Sequence, residues 1–120
     1  MNAKKIVQDF YKSDALIDSQ IMGLFLHPEI ILDWNSSTGF IQMNFENLIA
    51  LSIELGKAYT RSKVKISHIF SKDNLVSVRY NHYVKTIENP REEMLLAHFM
   101  VIWEIKDDKL FRGYQMSQIT

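Results

Sequence analysis

The apolar pattern of this chain changes period once, and that change restricts the fold more than any single residue does. Up to about residue 59 apolar side chains recur mainly at helical spacing, around one short apolar run at Ile30-Ile31-Leu32; from residue 64 they alternate, as along strands with one buried face. Ile6, Val7, Phe10 and Tyr11 form the stripe of a helix over 4–16, with Lys4, Lys5, Asp9 and Lys12 mostly opposite. Asp18 or Ser19 can cap a short second helix carrying Ile21, Met22, Leu24 and Phe25, which stops near His27-Pro28 because a residue before proline avoids the α region. A strand is predicted over about 29–35, then a polar turn from Asn35 to Gly39. Asn44 is the N-cap of a third and longest helix, with Phe45, Leu48, Ile49, Ser52, Leu55 and Tyr59 on one stripe.

In the second half Val64, Ile66, His68 and Phe70 alternate with Lys65, Ser67 and Ile69, which places His68 on the apolar face of its strand. Turns at 72–74, 88–93 and 106–109 separate strands over 75–87, 94–105 and 110–119, and such short links make neighbours antiparallel. The order is ααβαββββ, an α+β pattern with helices on one face of a curved sheet. With 120 residues, 47% of them hydrophobic, and no Pro/Gly/Ser-rich linker, residues 1–120 are expected to form a single domain.

Charge and composition narrow the function classes. Fourteen basic residues balance 14 acidic ones, which gives no electrostatic footprint for nucleic acid or an anionic membrane. The chain has no cysteine, so disulfides, thiolate catalysis and thiolate-rich zinc sites are unavailable to it. The N-terminal residues lack the apolar core of a secretory signal and no stretch reaches the ~18 apolar residues of a membrane span, so a cytoplasmic protein is expected.

Counting outward from an Ile105–Leu110 hairpin end pairs Met100 with Gln115 and His98 with Ser117, and the preceding hairpin sets His82 against His98 and Tyr80 against Met100. One face then collects Val78, Tyr80, His82, His98, Met100, Gln115 and Ser117, where apolar atoms mix with convergent polar groups. The opposite face collects Phe99, Val101, Trp103, Arg112, Tyr114 and Met116, a composition that suits a subunit interface. An extra residue or a bulge near the 88–93 loop would reverse this parity.

Asp33 ends the apolar run Ile30-Ile31-Leu32, where burial would raise its pKa and prepare it as a base; the alternative is a strand-end carboxylate accepting bonds from Ser36 or Ser37. His98 is either a general acid or donor steered by His82 or Ser117, or a sheet histidine satisfied by a neighbour. Tyr11, Trp34 and Tyr59 can reach a pocket or serve as packing. His82, His98 and Asp33 would form a two-His-one-carboxylate metal site only if all three came within coordination reach, and no HxxxH or HxH spacing supports one; no metal or cofactor is expected.

Leu24-Phe25 followed by His27-Pro28-Glu29, the Asp33-Trp34 pair, Gly39, and the closing Trp103-Glu104-Ile105…Lys109-Leu110 hairpin resemble the nuclear transport factor 2-like superfamily over essentially the whole chain. Within it the chain looks most like the SnoaL-like and ketosteroid-isomerase-like branch. The resemblance implies a sheet folded into a cone with three helices over its concave face, an apolar pocket and a dimer formed through the sheet. It also implies a base at Asp33, where the isomerase keeps its aspartate. The isomerase oxyanion hole does not carry over: Phe10 stands at the tyrosine position with Tyr11 beside it, and residues 97–101 hold no carboxylic acid. The reading that follows is a small-molecule pocket protein for an apolar cyclic or polyketide-like compound. One form is an isomerase, cyclase or dehydratase with Asp33 as base and His98 or Tyr80 at the oxyanion; the other is a noncatalytic binding or dimeric interaction module.

Overall fold

The helices begin where capping side chains dictate. In the computed structural model, which describes residues 2–120, α1 spans Ala3–Lys12 and starts with the Asn2 side chain accepting the Lys5 backbone N–H. It ends earlier than periodicity predicts, because the Ser13 hydroxyl donates to the Phe10 carbonyl at 2.6 Å and draws residues 13–17 into turns. Asp18 caps α2, Ser19–Phe25, by accepting from Gln20 and Ile21. Asn44 caps α3, Phe45–Ala58, in a reciprocal box with Asn47.

Strand β1, Leu26–Ser36, starts before Pro28, and the polar run after it is not all turn. Gly39, at φ +122°, opens a short strand β2, Gly39–Met43, that pairs back onto β1. β2 is an addition to the expected order. Then come β3 (Tyr59–Lys72), β4 (Leu75–Thr86), β5 (Met94–Lys106) and β6 (Lys109–Ile119). They form one open six-stranded sheet in the order β2-β1-β6-β5-β4-β3, with β1 parallel to β6 and every other pair antiparallel. This is the expected α+β cone. No helix among the described residues is long and apolar enough to cross a membrane.

The core lies between the concave sheet face and the helices, around Val7, Phe10, Leu48, Val76, Val101 and Trp103. Fully burying one side chain of this size is worth about 1.5–3 kcal/mol. The fully buried Ser52 hydroxyl donates to the Ala15 carbonyl at 2.8 Å and fastens α3 to the 13–17 turns. Gly56 permits that approach, since a Cβ there would stand 2.5 Å from the Ile17 carbonyl oxygen.

Three bulges decide which residues face inward. In the last hairpin, Asp107 and Asp108 both take φ near +55° and form the two-residue turn, and Ile105 pairs with Leu110 as expected. The next pair, however, is Glu104 with Arg112, so Phe111 is an extra residue. Its ring packs on His27 and lies under the Lys106 and Arg112 cations. Beyond it Val101 faces Gln115 and Phe99 faces Ser117. A second bulge, between His82 and Tyr83, leaves Leu96 unpaired and sets His82 against Ala97 and Tyr80 against Phe99. The parity of β5 is therefore the reverse of the expected one: Phe99, Val101 and Trp103 point into the concave face, and His98 and Met100 point out. A third bulge, between Ile66 and His68, turns His68 and Phe70 to solvent, so His68 is not a core residue.

Candidate functional site

Between α1, α3 and the concave sheet face lies a cavity of about 70 Å³. Tyr11 enters it from α1, Leu48, Leu51 and Leu55 from α3, Trp34 from β1, Tyr80 and His82 from β4, Phe99 and Trp103 from β5 and Gln115 from β6. The strand residues lie on one face by simple alternation once the bulges are counted.

Aromatic rings order the wall. Tyr80 stacks on Phe99 with centroids 4.9 Å apart and planes 7° apart, and Tyr11 leans on Tyr80 at 4.5 Å. The Trp103 indole N–H donates to the Tyr11 hydroxyl oxygen at 2.9 Å in a buried bond that ties α1 to β5. Burial pushes the Tyr11 phenol up to about 12. It raises Tyr80 well above its ordinary value, with the neighbouring Tyr11 adding to the effect. Burial lowers His82 from 6.5 to about 4, and its Nε2 stands 2.7 Å from the Ser62 hydroxyl. At neutral pH the two tyrosines and His82 are all uncharged, and among the described residues no Asp or Glu lines the cavity.

Counting protons shows what the wall offers. The Tyr11 oxygen already accepts from Trp103, and of the two phenolic protons at most one can be used between Tyr11 and Tyr80. One O–H remains free to donate. Gln115 is 6% exposed and its carboxamide forms no hydrogen bond among the described residues, yet none of its polar atoms is sealed away from space. A buried amide without a partner is costly, so a ligand atom completing it would be favoured. A lone charge entering such a cavity would lose its hydration with nothing to replace it.

Of the residues singled out from sequence, the structure brings Tyr11, Trp34, Tyr80, His82 and Gln115 to the cavity wall. Ser117 stands behind it, accepting the Trp34 indole N–H at 2.8 Å. Val78 is buried in the core but does not line the cavity, and Tyr59 lies at the junction of α3 and β3. The expectation that Asp33, His98 and Met100 line the pocket is corrected. Leu32 and Trp34 take the inward positions of β1, so Asp33 between them points outward. It accepts a 2.9 Å bond from the Gln42 side chain across the β1–β2 pair, rather than from Ser36 or Ser37. His98 is exposed on the outer face with Nδ1 2.7 Å from the Asn81 carboxamide oxygen, and Met100 is 55% exposed. His82 lies on the opposite side of the sheet from His98 and Asp33, so the three do not converge on a metal. Likewise Phe99, Val101 and Trp103 belong to the interior, not to the outer surface. Phe99 and Trp103 are the wall residues that alternation alone misassigned, and Phe111 gave no periodic sign that it would be the extra residue.

No protein-family model matches the sequence. None of the curated proteins matches it either. Solved structures do match, by shape. The wild-type IdmH protein of Streptomyces antibioticus, described as a candidate polyketide cyclase, superposes with a TM-score of 0.76 at 9% identity, over 98% of this chain and 92% of that one. A candidate SnoaL-like polyketide cyclase of Shewanella denitrificans OS-217 gives 0.72 at 11% identity, over 96% and 89%. An epoxide hydrolase of Mycobacterium tuberculosis, described as LEH-like, gives 0.71 at 14% identity, over 96% and 81%. The fold is thus the nuclear transport factor 2-like cone, in the form shared by SnoaL-like and ketosteroid-isomerase-like proteins.

Proposed function

We propose that this chain is a small-molecule-binding protein whose cavity takes an uncharged, mostly apolar group carrying one hydrogen-bonding oxygen. The observation that carries the reading is the chemistry of the wall: aromatic and aliphatic surface, one phenolic O–H to spare, one unpartnered Gln115 amide and no carboxylate. Binding of a ligand oxygen by these two donors needs no charge transfer. The isomerase-type reading, with Asp33 moving a proton on a cyclic or polyketide-like substrate, lacks its base in the cavity.

Calorimetry with a panel of small ketones and lactones tests this. Gln115→Leu should weaken binding by about five- to tenfold, the value of one hydrogen bond, while Asp33→Asn should leave it unchanged. A large loss with Asp33→Asn and none with Gln115→Leu would overturn the assignment.

The same reading includes a homodimer through the outer sheet face, where the expected Arg112, Tyr114 and Met116 are joined by Met100, Ile102 and Phe40. Phe40, Met100, Ile102, Tyr114 and Met116 are each about half exposed or more and lie together on this face, as apolar side chains do at interaction surfaces. Asp33 on β1 lies to one side of the patch and Arg79 on β4 to the other, so a two-fold axis can oppose acid to base. Light scattering should give twice the chain mass for the wild type and a monomer for Ile102→Asp; a monomeric wild type would remove the dimer.

A further inference from the structure

A second, larger recess borders the cavity. It measures about 570 Å³ and runs between the end of α1 with the following turn, represented by Tyr11, Lys12, Asp14 and Ile17, and residues 60–64 of β3. This volume lies within the range of ligand sites, whereas the inner cavity holds only a short alkyl chain or a small ring. The two share a wall. Tyr11 lines both, and Ser62, which lines the outer recess, is bonded to His82, which lines the inner cavity.

Their chemistries differ. The inner cavity is apolar and free of charge, while the outer recess is bordered by Lys12, Arg61 and Lys63 against the single carboxylate of Asp14. None of these four forms an ion pair among the described residues, although Lys5, Lys57 and Lys65 each have a carboxylate partner. Arg61 and Lys63 alternate with Ser62 and Val64 on an edge strand, and with no strand beyond β3 their long stems can bend round the edge toward the recess.

We propose that the two spaces form one site for an anionic amphiphile, in which a short apolar segment passes beside Tyr11 into the cavity and a carboxylate remains in the outer recess among Lys12, Arg61 and Lys63. This rests on the cavity reading above and adds the charged end of the ligand to it. The wet, cation-bordered recess keeps the carboxylate hydrated in part, which the inner cavity cannot do.

Trp34 and Trp103 both line the cavity and report its filling by fluorescence. The full chain is titrated with sodium hexanoate and with 1-hexanol, at low salt and at about 0.5 M salt, where charges more than a few ångströms apart are screened. Hexanoate is expected to bind several-fold more tightly than hexanol at low salt and to lose that advantage at high salt. The Lys12→Gln/Arg61→Gln/Lys63→Gln variant, altered only at surface positions, should lose about tenfold in hexanoate affinity, the sum of a few exposed ion pairs, with hexanol binding unchanged. Equal, salt-insensitive binding of the two probes, or an unchanged hexanoate affinity in the triple variant, would overturn the anionic site and leave the cavity reading standing. If neither probe perturbs the tryptophans, the anionic site falls, and the cavity reading is decided separately by the ketones and lactones.

Discussion

Gly113→Ala is expected to destabilise the fold by about 2 kcal/mol, at the middle of the range for overpacked cores, and to displace Trp103. A Cβ at position 113 would lie 2.5 Å from the Trp103 ring and 2.6 Å from Leu32 Cδ1. Neither neighbour can yield cheaply, since both are 3% exposed and packed in the core. Nor can the backbone retreat: β6 is hydrogen-bonded to β1 on one side and β5 on the other. If the indole moves instead, its bond to Tyr11 is lost and the cavity wall opens. Urea unfolding monitored by tryptophan emission should show both an earlier midpoint and an altered native spectrum. An unchanged midpoint would mean that the Gly113 contact is slack.

The second large effect is a pH dependence set by His82. Its folded value of about 4 lies below the 6.5 of an unfolded histidine, so the unfolded chain takes up a proton that the folded chain refuses. The stability that rests on a neutral His82 is fully present above about pH 6.5. It falls as pH drops through the window between 6.5 and 4, and it is lost below the folded value. The shift corresponds to about 3 kcal/mol at its full extent, undiminished by solvent because His82 is 3% exposed. Carboxylates also titrate near the lower end, so the measurement is a difference: urea midpoints of wild type and His82→Gln between pH 7.5 and 4. The variant keeps a polar group facing Ser62 but should lack the decline between pH 6.5 and 5. Parallel curves for the two proteins would contradict the assignment.

Local chemistry made most of the fold legible. Asn44 and Asp18 announced their helices, the Asp107-Asp108 turn its hairpin, and the single change of period the α+β order. What was hidden was parity. Phe111 and Leu96 are ordinary apolar residues in alternating runs, and nothing in their type distinguishes a paired residue from an unpaired one. Phe111 is extra because its ring finds His27 and two cations, a contact made across 84 residues of chain in the case of His27. The site inherits this division. Tyr80, His82 and Gln115 lie on strands whose facing was read correctly, so their meeting at the cavity was foreseeable. His98 and Met100 lie on β5, between the two offsets, and went to the wrong side with it. Asp33 failed for a different reason: an apolar run ending in a carboxylate looks buried until strand alternation gives the inward positions to Leu32 and Trp34.

Strand β5 thus carries two apolar series on alternate residues, Phe99, Val101 and Trp103 on one side and Met100 and Ile102 on the other. Each is apolar enough to form either an interior or an interface. One inserted residue lies at each end of the strand's pairing. In evolutionary terms, loss of the single codon for Phe111 would leave Ile105–Leu110 and Glu104–Arg112 as consecutive pairs, so both faces of β5 would be kept and only the contacts of Phe111, such as that with His27, would go. A relative of this protein can therefore lose the bulge and keep the same cavity wall, whereas one more residue inserted on either side of β5 would have to be absorbed by a further bulge or turn the strand over.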